Sequence, residues 1–179
     1  MTKLPLFRLS FLIISLACQP KEDEPFTTSS TDVDVADSND ETGAPDSTGP
    51  TIWSGPTLTF TKADGVDHTQ PTNQDAITDN VVLTRGDRGS LLNVVLEDTA
   101  NTESPAGTEW AVGSTDALET LVFEPLKTAA NDKMKNLPGT DLVLHLTEED
   151  IYIDVTFLSW SSGGDSGGGF GYERSTETE

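Results

Sequence analysis

The side chain with the most distinctive chemistry in this chain is a thiol that occurs once. Cys18 closes the run Ser15-Leu16-Ala17-Cys18 and is followed by Gln19 and a polar, acidic stretch. A lone cysteine forms no internal disulfide, no CxxC redox pair and no thiolate zinc cluster. It stays a free thiol or takes a group attached from outside, and only a thiol can form a thioether. The residues before it fit the second use. Lys3 and Arg8 make a positive start, Leu9 to Leu16 is apolar apart from Ser10 and Ser15, and Ala17 is small. At about 1.5 Å per helical residue this run reaches only half way across a hydrocarbon core of about 30 Å, so it reads as an export signal.

Ser15-Leu16-Ala17-Cys18 resembles the lipobox of bacterial lipoproteins. The resemblance implies that residues 1–17 are removed and that Cys18 is lipidated and becomes the first residue of the mature chain. Its acyl chains would partner the membrane, at about 0.8 kcal/mol per buried CH₂. Gln19, rather than Asp, resembles the pattern of lipoproteins sent on to the outer membrane. Ser15 stands where the lipobox usually has Leu. With Ala17 it also satisfies the small-x-small rule of ordinary signal peptidase, whose product would be secreted and soluble.

Other short motifs carry less. Gly164-Asp165-Ser166-Gly167-Gly168 matches the nucleophile sequence of chymotrypsin-like proteases, with His68 upstream. It lies in "SWSSGGDSGGGFGY", read here as a flexible glycine-serine stretch. A working triad needs a rigid serine loop, an oxyanion hole and a buried Asp. Arg85-Gly86-Asp87 has turn chemistry that accounts for it. His68 and His145 lack a third ligand at useful spacing, and the acidic run Asp32 to Glu41 does not follow a calcium-binding loop. The sequence points to no catalytic residue, no metal and no cofactor, and a hydrolase is the least favoured reading.

These residues must be positioned by a strongly acidic chain. Lys and Arg total 10 against 31 Asp and Glu, a net charge of -21, which excludes nucleic acid as a natural partner because such binding is built from cations displacing counterions. Residues 18–50 form an acidic tether rich in Ser, Thr, Gly and Pro, expected to be disordered with a reach of about 30 Å. From residue 51 to 176, short runs rich in β-branched and aromatic residues alternate with turn residues. They include 57–61, 80–85, 90–97, 108–113, 118–123, 141–147, 150–160 and 169–174. This spacing predicts a mainly β fold, a two-sheet sandwich or jelly roll, with one short helix from Pro125 to about Asn136.

The most legible element is the hairpin over 141–160. With Glu148 and Glu149 in the turn, Leu142, Leu144 and Leu146 face Val155, Ile153 and Ile151 on a core side that Phe157 extends. Asp141, Val143 and His145 share the other side with Thr156, Asp154 and Tyr152. That side is expected to be solvated or functional, and His145, Tyr152, Asp154 and Trp160 form the candidate binding face. The runs "WSGPTLTFTK", "NQDAITDNVVLTRG", "SPAGTEWAVG" and "GTDLVLHLTEEDIYIDVTFLSW" are similar to a domain that recurs in secreted and surface proteins of Gram-negative bacteria. The resemblance implies an extracellular β-domain and supplies no catalytic residues. The resulting expectation is a surface-displayed lipoprotein carrying a non-catalytic interaction or structural module for a protein or glycan partner. The alternative is a glycan-binding module that uses exposed aromatics.

Overall fold

A computed structural model describes residues 49–179 apart from Thr102 and Gly164. The expected export signal at 1–17, Cys18 and the expected tether up to residue 48 lie outside the described residues. The fold is mainly β: two sheets with a few short helical turns, arranged as a sandwich.

The larger sheet contains β1 (Thr51–Trp53), β2 (Leu58–Lys62), β6 (Thr108–Val112), β7 (Asp141–Leu146), β8 (Ile151–Trp160) and β9 (Phe170–Arg174). Its path runs β2-β9-β8-β7-β6 through antiparallel pairs, and β1 lies parallel to the start of β8. The smaller sheet is β3 (Asp75–Ala76), β4 (Val82–Arg85) and β5 (Leu91–Asn93). The hairpin of β7 and β8 has the expected register, with Leu142, Leu144 and Leu146 opposite Val155, Ile153 and Ile151. Five of the six belong to one apolar cluster, with Ile151 half-buried against it, and they are joined by Leu83 and Leu91 from the smaller sheet and by Trp110, Phe157, Phe170 and Tyr172. Strict alternation puts these side chains on one face, where burial contributes about 25 cal/mol per Å² of apolar surface.

Three segments depart from the sequence reading. The helix expected over 125–136 is one turn, α1 (Leu126–Ala129), followed by a 3₁₀ turn at Met134–Asn136. Asn131 and Asp132 take positive φ of 51° and 57° between them, a conformation these residue types tolerate and a helix does not. The run 90–97 is a strand only to Asn93. There the buried Asn93 amide accepts from Val82 N and Val95 N and donates to the Asn80 and Ala106 carbonyls. That bonding turns the chain and leaves Val95 and Leu96 exposed. The run 118–123 is no strand either: its first three residues close the 3₁₀ segment Thr115–Thr120, and the chain meets the sheet only just beyond the run, through a bridge of Glu124 to Trp110.

The C-terminal tail is tied to the chain just after its first strand. Gly55 N donates to the Thr176 carbonyl, Ser54 N to Thr178 Oγ1 and Thr176 Oγ1 to the Pro56 carbonyl, so the C-terminal tail is stitched to the segment after β1.

Candidate functional site

Of the four residues of the expected binding face, His145, Tyr152 and Asp154 lie on one side of the sheet and Trp160 does not. His145 and Tyr152 are cross-strand partners, and their rings stack with centroids 4.3 Å apart and planes 4° apart. Phe123 meets both rings edge-on at 5.5 Å. The His145 ring lies between two carboxylates, with Nε2 3.1 Å from Asp150 and Nδ1 3.5 Å from Glu109. Burial, then the hydrogen bond to Asp150, raises the Tyr152 phenol above its ordinary value. Segment 113–124 covers much of this side, and Val143 and Ala111 are buried on it. The face is therefore not simply solvated: its polar groups are spent largely on one another.

Asp154 serves that covering segment. Its carboxylate accepts from Thr115 N at 2.8 Å and Thr115 Oγ1 at 2.7 Å, which anchors the 3₁₀ turn to β8. Both oxygens are thus taken by backbone and hydroxyl donors, which leaves Asp154 a structural anchor.

Trp160 is on the opposite side of the sheet. The pairing of β8 with β9 shifts between Phe157 and Ser159, so one extra residue, Leu158, is accommodated in β8. A bulge of this kind reverses the alternation beyond it. Trp160 consequently falls on the same side as Phe157, with ring centroids 6.1 Å apart, and also meets Phe170. Arg85, at the end of β4, lays its guanidinium 3.9 Å from the centroid of the Trp160 ring. This is a cation–π contact between the two sheets. In the sequence Arg85 ends a strand run and opens a tripeptide with turn chemistry; in the structure it is only 5% exposed.

The glycine-rich loop beside Trp160 is also ordered by contacts, contrary to its reading as a flexible stretch. Lys62 Nζ approaches the Gly167 and Gly168 carbonyls, Gly65 N donates to the Gly167 carbonyl and Gly169 N donates to Asp64. Burial lowers the Lys62 pKa from its usual value. Ser166 Oγ donates to the Gly163 carbonyl and Asp165 pairs with Arg88. Among the described residues no histidine bonds to Ser166.

Between this loop, the segment 88–101 and the turn after α1 lies a groove of about 790 Å³. Its lining includes Trp160, Arg85, Arg88, Lys127 and Lys135. That volume is within the usual range for small-molecule sites. Among the described residues no three His, Cys, Asp or Glu side chains converge as a metal site. No protein-family model, curated protein or solved structure matches the chain.

Proposed function

We propose that the protein is a surface-displayed, lipid-anchored binding module that does no chemistry on its ligand. The reading is supported by the groove beside Trp160. It offers aromatic surface and cationic groups, without the nucleophile, base and orienting group that a hydrolytic site brings together. Its place at the surface rests on the lipobox-like Ser15-Leu16-Ala17-Cys18 and on the acidic run that follows. The role of Trp160 favours a glycan over a flat protein partner, since an indole at the wall of a concave site is a natural platform for a sugar ring.

Two expected results test the two halves of this reading. Intact-mass measurement on membrane-extracted protein should show a species that starts at Cys18 and carries acyl mass. Loss of Lys3 and Arg8 leaves 8 basic against 31 acidic residues, a net charge of -23. A species that starts at Cys18 without acyl mass overturns the anchor. On a glycan array the protein should bind a reproducible subset of sugars. Trp160→Ala should weaken that binding by more than about tenfold, as loss of a central tryptophan usually does. Sugar binding that is indifferent to Trp160 places the site elsewhere.

A further inference from the structure

The charges of the groove are at odds with the chain that carries them. Of the 10 Lys and Arg residues, Lys3, Arg8 and Lys21 precede the described region, and four of the remaining seven line this groove. They face a single acidic lining residue, Asp132. A chain of net charge -21 thus gathers four of its ten cations at one concave place.

Two groups there are incompletely served. Arg85 is buried, and its hydrogen bonds go only to carbonyls: Nε to Gly89, Nη1 to Ser161 and Gly169. Among the described residues no carboxylate lies within ion-pair distance of it, and Nη2 makes no hydrogen bond to any of them. Asp64 acts on it at longer range, but that carboxylate is held by Gly169 N. A buried cation without a counter-charge is costly, and an anion arriving beside it recovers that cost. The second group is Ser90, which follows the residue that Arg85 Nε bonds. It is 7% exposed, it lines the groove, and its hydroxyl has no partner. Buried hydroxyls are ordinarily satisfied, so an orphan in a groove wall marks a place for a ligand atom.

At the rim, Lys135 has no ion pair among the described residues, while Arg88 and Lys127 are paired with the exposed carboxylates of Asp165 at 3.4 Å and Glu103 at 2.9 Å. Exposed pairs of this kind contribute little and exchange readily for a better partner. Thr99, Asn101 and Ser162 add neutral donors and acceptors, and Trp160 and Met134 add apolar surface. Neutral hydroxyl and amide groups around a tryptophan suit the hydroxyls of a sugar, and the buried guanidinium and orphan hydroxyl suit a carboxylate.

Resting on the binding-module reading above, we infer that the groove takes an acidic saccharide, with a ring carboxylate at the end formed by Arg85 and Ser90 and the pyranose beside Trp160. Tryptophan fluorescence of the full chain, titrated with trigalacturonate and with neutral galactotriose, tests this directly. Trp53 and Trp110 are buried, and Trp160→Phe identifies the responding ring. Trigalacturonate should bind at least about tenfold tighter than galactotriose. Its affinity should fall as salt rises. Lys135→Gln should weaken it by about three- to fivefold. Ser90→Ala should weaken it as well, with the melting temperature unchanged or raised, because the substitution removes an unsatisfied buried hydroxyl.

Equal binding of the two sugars, unaffected by Lys135→Gln, overturns the acidic preference and leaves the module reading intact. Tighter binding of triglutamate than of trigalacturonate overturns the saccharide class. Silence towards both sugars overturns the inference alone if array binding persists, and the module reading with it if the array is silent too.

Discussion

Asp75→Ala is expected to cost about 3 to 5 kcal/mol of folding stability, the usual result of removing one partner of a buried ion pair. Asp75 lies on β3 of the smaller sheet, and its carboxylate receives Arg174 Nε at 2.7 Å, Arg174 Nη2 at 2.9 Å and the Tyr172 hydroxyl at 2.6 Å, all from β9 of the larger one. Both charged residues are 5% exposed. Alanine would leave a guanidinium in the interior without its counter-charge and a phenol without its acceptor. Thermal unfolding should show a fall of about 10 to 20 °C; a fall of only one or two degrees would mean that water replaces the carboxylate. Asp75→Asn, which keeps an acceptor but loses the charge, should lie between the two.

The same cluster sets an alkaline limit. Burial, and then the Asp75 charge, push the Tyr172 phenol well above its ordinary value. The folded state therefore keeps its proton where the unfolded chain, ionising near pH 10, has released it. Proton binding then favours the folded state less and less as pH rises, so stability should be unaffected below about pH 10 and decline above it. Tyr172→Phe should remove the larger part of that decline and leave the share of Tyr152.

Gly168→Ala is the second large effect, about 2 to 4 kcal/mol, from overpacking and a left-handed backbone together. Gly168 has φ +70°, and a Cβ built there would be driven into the carbonyl of Gly86. The obstacle is backbone, which cannot rotate away. Gly139 separates the two causes: its φ is +81°, but an added Cβ meets nothing within 4 Å. Gly139→Ala should therefore show only the conformational part, about 1 to 2 kcal/mol. Equal midpoints of chemical unfolding for the two variants would mean that the loop yields to the methyl group. Because Gly169 supplies a carbonyl to Arg85, Gly168→Ala should also disturb the groove.

What could be read from the residues follows the range of the interactions. The hairpin of β7 and β8 was legible because its alternation and its acidic turn are local. Its bulge was not, since nothing about Leu158 in the sequence marks it as supernumerary, and with it went the side on which Trp160 lies. The end of β5 at Asn93 depends on carbonyls at Asn80 and Ala106, and no window of sequence contains them together. The groove was half visible. Trp160 stood out as an aromatic, but its companion Arg85 was hidden in a tripeptide with a sufficient turn explanation, and the two meet only across the sandwich. Ser90 carried no signal at all, because a serine becomes informative only when its hydroxyl is known to lack a partner.

The stitching of Thr176 and Thr178 to Ser54, Gly55 and Pro56 makes the fold a closed circuit with one opening. The tail is sewn at this seam to residues only one three-residue strand, about 10 Å, beyond the start of β1, and a linker across that gap would let the chain be cut instead at the exposed Thr147–Glu148 turn, giving a circular permutant with the same strands. The seam also makes the unit a cassette. Chains that leave side by side can be spliced into a surface loop of an unrelated host without forcing the host's flanks apart.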